Sequence, residues 1–121
     1  ELAEFVRPLA KLNAEWGELT MSIGMKAMTD REEVGAASVD YLMYAGYVTL
    51  AYLFARAAKQ ARAALAEGTE EAPFYRAKLD TARFFYQRLV PRTRAHKAAI
   101  EAGAEPLMAI SAEDFGLGFE I

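Results

Sequence analysis

One apolar stretch, from Tyr41 to Ala55, constrains the fold of this chain more than any other feature. Apart from the hydroxyls of four tyrosines, Thr49 is its one polar residue. A helix at a protein surface carries a polar stripe along its water-facing side, and this stretch has none. It is also shorter than the ~20 apolar residues that a bilayer core requires, and its tyrosine hydroxyls need hydrogen-bond partners. We therefore expect a central helix that other helices cover on every face.

The composition favours an all-α domain. Hydrophobic residues make up 54% of the 121 residues, and only four prolines occur. The chain has no cysteine, which excludes disulfide scaffolds and cysteine nucleophiles and is compatible with a reducing, cytoplasmic location. The chain begins with Glu1 instead of methionine, so we expect an excised piece of a larger protein, with residues 1–121 forming a single helical domain.

The first helix is predicted from apolar residues that recur at alternating spacings of three and four. These are Leu2, Phe5, Leu9, Leu12, Trp16, Leu19 and Ile23. Pro8 lies inside the pattern and lacks a backbone donor, so the helix either begins there or bends there.

The second helix contains the apolar stretch and is predicted to run to about Glu67 and stop at Gly68. A capping box, Thr29 with Glu32 or Asp30 with Glu33, would begin it. At 1.5 Å per residue it is roughly 50 Å long, so the domain is elongated. Two rows of small and apolar residues run along it: Val39, Met43, Gly46, Leu50, Leu53 and Ala57 on one, and Tyr44, Val48, Ala51, Ala55 and Ala58 beside it.

The third helix is predicted to begin near Thr69 and Pro73, to bend at Pro91 and to stop at Gly103. Its apolar row consists of Tyr75, Leu79, Ala82, Tyr86, Leu89, Thr93, His96 and Ile100. Within it, Phe84, Phe85 and Tyr86 span about 200° of the helix circumference, so one ring must point away from the row.

The remaining residues form a tail that contains Leu107, Met108, Ile110 and Phe115. We expect it to fold back along the bundle, with a short capped turn from Ser111 to Asp114. The complete fold prediction is an elongated all-α bundle of three long helices, arranged up-down-up, with a short C-terminal helical tail.

No residue pattern in the chain predicts catalysis, cofactor binding or a metal site. His96 is the single histidine and lies on an apolar row, which favours a hydrogen-bonded structural role. No acid lies three residues before it, so the Glu-x-x-His pair of di-iron bundles is absent. Glu15 and Glu18 share one helix face, and a solvated surface explains them. Phosphate-loop, dinucleotide and hydrolase motifs are absent as well.

Charge is unevenly distributed along the chain. Between Pro73 and Lys97 seven bases stand against the single acid Asp80, although the net charge is −3. We interpret this basic segment as pairing with the acidic first helix or with an acidic partner. Nucleic-acid binding is the weaker alternative, because the chain as a whole is acidic.

The third helix also carries a resemblance. The run from Phe74 to Pro91 resembles the last long helix of an extra C-terminal domain found in bacterial-type acyl-CoA dehydrogenases. The second helix and the tail are similar to other parts of that domain at Tyr41-Leu42, Gly46-Tyr47-Val48, Ala55-Arg56, Ala58, Ala102-Gly103 and Leu107-Met108-Ala109. The resemblance extends from about Val39 to Phe115, and more loosely over the first helix.

This resemblance implies a domain appended to an FAD-dependent flavoenzyme of fatty acid metabolism that dehydrogenates acyl-CoA thioesters. The FAD, the acyl-CoA and the catalytic glutamate would belong to upstream domains. The fragment itself would bind no cofactor, have no catalytic residue and serve assembly, with the upstream domains and a homo-oligomer as partners. A narrower hypothesis is that Arg83, Arg88 or Arg92 contacts a CoA phosphate. The rival class is a free-standing module that dimerises through Tyr41 to Ala55 and Phe84 to Tyr86.

Overall fold

Every regular element between residues 2 and 116, the part of the chain that the computed structural model describes, is helical. The bounds are α1 Ala3–Ala27, α2 Glu32–Ala66, α3 Ala72–Phe84, a π-helical turn Phe85–Leu89, a 3-10 turn Val90–Arg92, α4 Thr93–Ala102, α5 Glu105–Met108 and a second 3-10 turn Ala112–Phe115. The all-α prediction is confirmed for this range.

The first helix buries the row that its spacing predicts. Phe5, Leu12 and Leu19 are buried, and the other residues of the row pack against them at the edge of the core. The helix begins at Ala3 and continues through Pro8, so a start at Pro8 is wrong. The ring is tolerated because it removes one hydrogen bond near the beginning of a helix whose buried row fixes it in place.

The second helix is 35 residues long, about 50 Å, and ends where the sequence predicts. Gly68 follows it with φ of +82°, a conformation that favours glycine. The capping-box prediction is wrong for both pairs. Instead, Asp30 Oδ1 accepts a hydrogen bond from the Glu32 N–H at 3.0 Å, and the Thr29 hydroxyl donates to the Lys26 carbonyl at 3.1 Å.

The predicted third helix is a rod made of four helical segments, from α3 to α4. Pro91 has no N–H for the carbonyl of the preceding turn, and its ring crowds that carbonyl. The chain adapts by opening into the π-helical turn before Pro91 and tightening into the 3-10 turn around it. The expected disturbance at Pro91 is confirmed as this interruption, and the rod stops at Gly103, with φ of +73°.

The π-helical turn begins at the aromatic triplet. Phe85 and Tyr86 are both buried, whereas Phe84 is 57% exposed. The prediction that one ring points away from the apolar row is therefore confirmed. The Phe85 ring stacks on Phe54 of α2 with centroids 4.7 Å apart, and the Tyr86 ring meets Phe5 of α1 edge-on at 5.2 Å.

The core lies where α1 and the third rod pack on α2. Alanines line much of the buried side of α2 and allow the neighbouring helices to approach closely. Contacts join the start of α1 to the end of α2 through Glu4 and Arg62, and a later part of α1 to the first half of α2 through Thr20 and Tyr41. The buried residues of α2 are Ala37, Tyr44, Val48, Ala51, Ala58 and Ala61.

The tail does not fold back along the bundle, so that prediction is wrong for its described residues. Leu107, Met108, Ile110 and Phe115 are each more than half exposed. The helical segments of the tail have four residues each, too few to lay an apolar stripe along a neighbouring helix. The short turn from Ser111 to Asp114 is confirmed, but its cap is not: the Ser111 side chain accepts no backbone hydrogen bond, and its hydroxyl donates to Asp114 Oδ2 at 2.8 Å.

Candidate interaction surface

The side of α2 that faces away from the core is apolar and exposed. We call it the outer face of α2; it consists of Val39, Leu42, Met43, Gly46, Leu50 and Leu53. Val39 and Leu42 are 70% and 71% exposed, and Met43, Leu50 and Leu53 are each more than 40% exposed. The prediction that this helix is covered on every face is therefore wrong within residues 2–116. Two neighbours, α1 and the third rod, cover only part of its circumference.

The two predicted rows of α2 have opposite environments. The row that contains Tyr44, Val48 and Ala51 is the core row, and all three of these residues are buried. The row that contains Val39, Met43 and Leu50 belongs to the outer face. The sequence thus identifies both contact rows, but only one of them has a neighbour in the described structure.

Gly46 lies in the middle of the outer face. A Cβ atom placed on it meets nothing within 4 Å, so no neighbour in the described structure requires a glycine there. Glycine inside a helix costs about 1 kcal/mol relative to alanine. The helix therefore carries a destabilising residue for which residues 2–116 give no packing reason.

A groove between α1 and α2 extends the apolar surface beside the outer face. Two of its depressions have volumes of about 600 Å³ and 470 Å³. Gly24 and Ala45 line the larger one, with the Thr20 and Tyr41 hydroxyls bonded to each other at 2.8 Å. Trp16 lines the smaller one, and its buried Nε1–H has no hydrogen-bond partner in the described structure.

A chain of polar contacts joins α1, α2 and α4. The hydroxyl of the fully buried Tyr44 in α2 donates to Glu15 Oε1 of α1 at 2.5 Å. Lys97 Nζ of α4 donates to Glu15 Oε2 at 3.1 Å. Both carboxylate oxygens of one α1 residue are therefore held, one by the central helix and one by the third rod.

This link shifts the pKa values of both Glu15 and Tyr44. Burial acts to raise the pKa of Glu15, but the hydrogen bonds from Tyr44 and Lys97 outweigh it, and the pKa lies below its ordinary value. Burial, and then the neighbouring carboxylate, raise the pKa of the Tyr44 hydroxyl. The interpretation of Glu15 as a solvated surface acid is wrong, because its side chain is only 20% exposed.

A second polar cluster links α1 to both other rods. Glu4 accepts hydrogen bonds from Arg83 of α3 at 3.0 and 3.1 Å and also pairs with Arg62 of α2. The Arg83 hydrogen bond and charge hold the pKa of Glu4 below its ordinary value. Together with the Lys97–Glu15 pair, this confirms for Arg83 and Lys97 that the basic segment pairs with acids of the first helix.

His96 has the structural role that its position predicts. Its Nδ1 lies 2.8 Å from Asp40 Oδ1 of α2, and its ring packs on Tyr47 with centroids 5.8 Å apart. The side chain is 22% exposed, at the rim of the core.

The three arginines of the anion hypothesis have different environments. Arg83 is occupied by Glu4 and Asp80, so it is not available for a phosphate. Arg88 and Arg92 are exposed and take part in none of the ion pairs found in residues 2–116. The described residues therefore provide no shared anion site built on all three.

Among residues 2–116, no three histidine or acidic side chains come together in a way that would hold a metal ion. None of the helices in that range is both long enough and apolar enough to cross a bilayer.

Comparison with protein families identifies the chain. The model of the family described as "Acetyl-CoA dehydrogenase C-terminal like" matches residues 1–111. The chain therefore belongs to this family, which confirms the resemblance seen in the sequence. Comparisons with curated proteins and with solved structures gave no match.

Sequence reasoning missed the Glu15 link. The signal that points to it is Tyr44, a tyrosine in the middle of a buried row whose hydroxyl must find an acceptor. Glu15 lies beside Trp16 on the edge of the α1 row, which places a carboxylate at the border of the core.

Proposed function

We propose that the chain is the non-catalytic C-terminal domain of an FAD-dependent acyl-CoA dehydrogenase, and that it supports the assembly of that enzyme. The observation that carries this proposal is the outer face of α2, which is apolar and exposed in a chain of this family. Large exposed apolar patches mark interaction surfaces in folded proteins. The expected partners are the upstream domains of the parent enzyme and a second subunit.

The described residues do not fit FAD. A dinucleotide requires a cleft with donors placed for its pyrophosphate, usually at a helix N-terminus. The groove between α1 and α2 is open and lined mostly by apolar side chains, with few polar groups such as Thr20, Ser38 and Tyr41. The depression between α1 and the third rod carries Lys11 and Arg94, but its volume of about 260 Å³ is below that of a usual ligand site. We therefore assign the flavin, the acyl-CoA and the proton-abstracting residue to the upstream part of the parent.

Three further features belong to this proposal. We infer a single domain over residues 1–121 in a cytoplasmic parent. We also infer that its rods are arranged up-down-up. The support is that contacts pair early residues of α1 with late residues of α2, as Glu4 does with Arg62. Likewise, Phe85 packs on Phe54 in the second half of α2, whereas His96 bonds Asp40 in its first half.

The first test is the visible spectrum of the intact parent protein during titration with a panel of acyl-CoA thioesters. A flavin band that bleaches with one thioester is the expected result, because α,β-dehydrogenation reduces the flavin. A protein that stays colourless after reconstitution with FAD contradicts the proposal.

The second test removes residues 1–121 from the parent. Because the rest of the parent then loses the outer face of α2 as a contact surface, we expect lower thermal stability, altered assembly or a changed preference for acyl chain length. Differential scanning calorimetry, sedimentation velocity and kcat/KM for short and long thioesters measure these. Unchanged stability, assembly and kinetics contradict an assembly role.

A free-standing helical interaction module is the second candidate, and the same exposed face favours it. The two candidates differ in the size of the native protein. An acyl-CoA dehydrogenase requires several hundred residues upstream of this domain, whereas the module requires none. The mass of the protein in its native source separates them.

A further inference from the structure

We propose that the outer face of α2 packs against the same face of a second copy of this chain, with the two helices antiparallel about a two-fold axis at residue 48. This inference deepens the proposed function, and it rests on it in one respect, that the outer face of α2 is buried in the assembled protein. It names the occupant of that face as a second copy, in a defined register.

The outer row is the part of α2 that would make this contact, and its spacing lets two copies of it pair. We use this name for Val39, Met43, Gly46, Leu50, Leu53 and Ala57. Its residues alternate four and three apart, the repeat by which two long helices interdigitate. When the row is reversed about residue 48, each member falls level with another member. The level pairs are Val39 with Ala57, Met43 with Leu53, and Gly46 with Leu50.

These level pairs also match in size. At the levels next to the axis, the leucine of one copy lies opposite the glycine of the other. Farther out, valine lies opposite alanine, and methionine lies opposite leucine of similar volume. Large side chains facing small ones let the two helices approach closely at two of the three kinds of level, whereas Met43 and Leu53 are both large and set a wider spacing at theirs.

The pairing gives Gly46 a packing reason that the described part of a single chain does not supply. A Cβ atom on Gly46 would point into open space, and the neighbouring Leu50 is 44% exposed. In the paired arrangement, Leu50 of one copy enters the space above Gly46 of the other. The cost of glycine within the helix is then offset by closer approach of the two backbones.

Charge selects the antiparallel orientation. All acids of α2 lie in its first half, and all its bases lie in its second half: Glu32, Glu33 and Asp40 against Arg56, Lys59 and Arg62. Asp40 and Arg62 already bond to His96 and Glu4 of the same chain, so the charges left for a partner are those of Glu32 and Glu33 against Arg56 and Lys59. An antiparallel partner brings halves of opposite sign together and opposes the two helix dipoles, whereas a parallel partner brings like charges together. No charged residue lies on the outer row itself between Val39 and Ala57.

The size of the contact determines how it must be measured. The row is about 27 Å long, and a helix is about 10 Å wide. The projected area of the contact is therefore roughly 300 Å² per copy. A standard interface buries ~800 Å² per partner, so this contact alone is weak and reversible. A covalent trap in the intact protein therefore suits it better than measurement of the isolated chain.

The experiment uses the absence of cysteine from this chain. Two variants of the intact protein, Val39→Cys and Ala57→Cys, are mixed and oxidised mildly, and disulfide-linked dimers are counted by non-reducing electrophoresis against the protein without either change. We expect the mixture to give at least fivefold more linked dimer than either variant alone. In the proposed register, the two copies of residue 39 lie about 27 Å apart and cannot form a disulfide.

The matched control is Val39→Cys mixed with Lys59→Cys. Lys59 is exposed and near the level of Ala57, but it lies about 200° farther around α2. We expect only background linking in this mixture. Adding Gly46→Leu to both partners of the first mixture should return it to background, while circular dichroism shows that the helices remain folded.

Two results would overturn the proposal. Efficient linking of Val39→Cys with itself indicates a parallel pair, and background linking in the first mixture indicates that another part of the parent covers the outer face. Thioester-dependent flavin bleaching, measured on the same samples, tests the proposed function separately from the pairing of α2. Bleaching without linking rejects the pairing only, whereas a colourless protein rejects the proposed function.

Discussion

Glu15 shows how one residue can connect three helices. Its carboxylate receives the Tyr44 hydroxyl at one oxygen and the Lys97 ammonium at the other. Because Tyr44 is fully buried, removal of the Glu15 carboxylate leaves its hydroxyl with only the longer contact to the Leu12 carbonyl, at 3.5 Å. The cost is therefore expected to exceed that of an ordinary surface ion pair.

Replacement of Glu15 by glutamine tests this link. Glutamine can still accept from Tyr44 but cannot carry the charge that Lys97 neutralises, so we expect a loss of about 1 kcal/mol in the free energy of unfolding near neutral pH. Urea titration measures it. Glu18→Gln, an exposed position on the same helix, is the control and should change the free energy by less than ~0.5 kcal/mol.

The same residue predicts an acid dependence. Since the pKa of Glu15 is lowered in the folded protein, its contribution to stability is complete above the unfolded-state pKa of 4.5 and is lost as pH falls through the lower folded value. Glu4 acts in the same direction. Urea titrations between pH 7 and pH 3 should show a smaller fall in stability for Glu15→Gln than for the unchanged protein. Parallel curves would mean that Glu15 does not titrate with folding.

The sequence predicts the surroundings of some single residues and not of others. The row of His96 places it at the core rim, and the structure confirms a hydrogen-bonded role through Asp40. Glu15 was assigned to solvent because spacing along α1 says nothing about which side chains of α2 and α4 approach it. Contacts between residues distant in sequence depend on how helices are rotated against each other, and no local pattern contains that rotation.

At the scale of elements, two glycines and Pro91 mark their boundaries correctly, whereas Pro8 does not begin a helix. Gly68 and Gly103 end helices because each adopts a positive φ there. Pro91 interrupts the third rod, as its missing donor requires. The sequence did not indicate the form of the interruption, a π-helical turn followed by a 3-10 turn, because that form depends on how α2 receives the neighbouring aromatic rings.

Gly103→Ala tests the end of the third rod. The glycine has φ of +73°, and a Cβ atom placed on it would lie 3.2 Å from Glu33 Oε1. We expect a loss of about 1 to 2 kcal/mol, from backbone strain and displacement of the carboxylate. Thermal unfolding followed by circular dichroism measures it.

The control is Gly17→Ala, at a position inside α1 where an added Cβ meets nothing within 4 Å. This variant should raise stability by up to about 1 kcal/mol, since alanine is the better helix former. Equal effects of the two substitutions would show that the positive φ of Gly103 does not determine the cost.

At the scale of the whole molecule, apolar residues divide into a narrow core and a wide exposed surface. Periodicity predicts the rows but not which of them lacks a neighbour, because two neighbouring rods cannot surround the central one. Exposure of the outer face of α2 is therefore a property of the number of helices in the chain. The error about the tail has the same origin, since its short segments supply no fourth rod.

Substitution of one buried and one exposed phenylalanine compares the contributions of the core and of the exposed surface to the free energy of unfolding. Phe5 is 1% exposed and contacts the Tyr86 ring, whereas Phe84 is 57% exposed on α3. Phe5→Leu should lower the free energy of unfolding by about 1 to 2 kcal/mol, and Phe84→Leu should change it by less than ~0.5 kcal/mol. Chemical denaturation compares them. A large effect at Phe84 would place that ring in a contact outside the described fold.

The π-helical turn has a consequence for everything that follows it. One residue corresponds to about 100° of rotation along an α-helix, so the number of residues in the turn sets the rotational phase of α4. With one residue fewer, α4 would keep its length and composition but swing His96 away from Asp40 and Lys97 away from Glu15. The π-helical turn thus sets the rotation of α4 relative to α3. A single rod can therefore direct aromatic rings toward α2 at the turn and polar side chains toward α1 and α2 from α4.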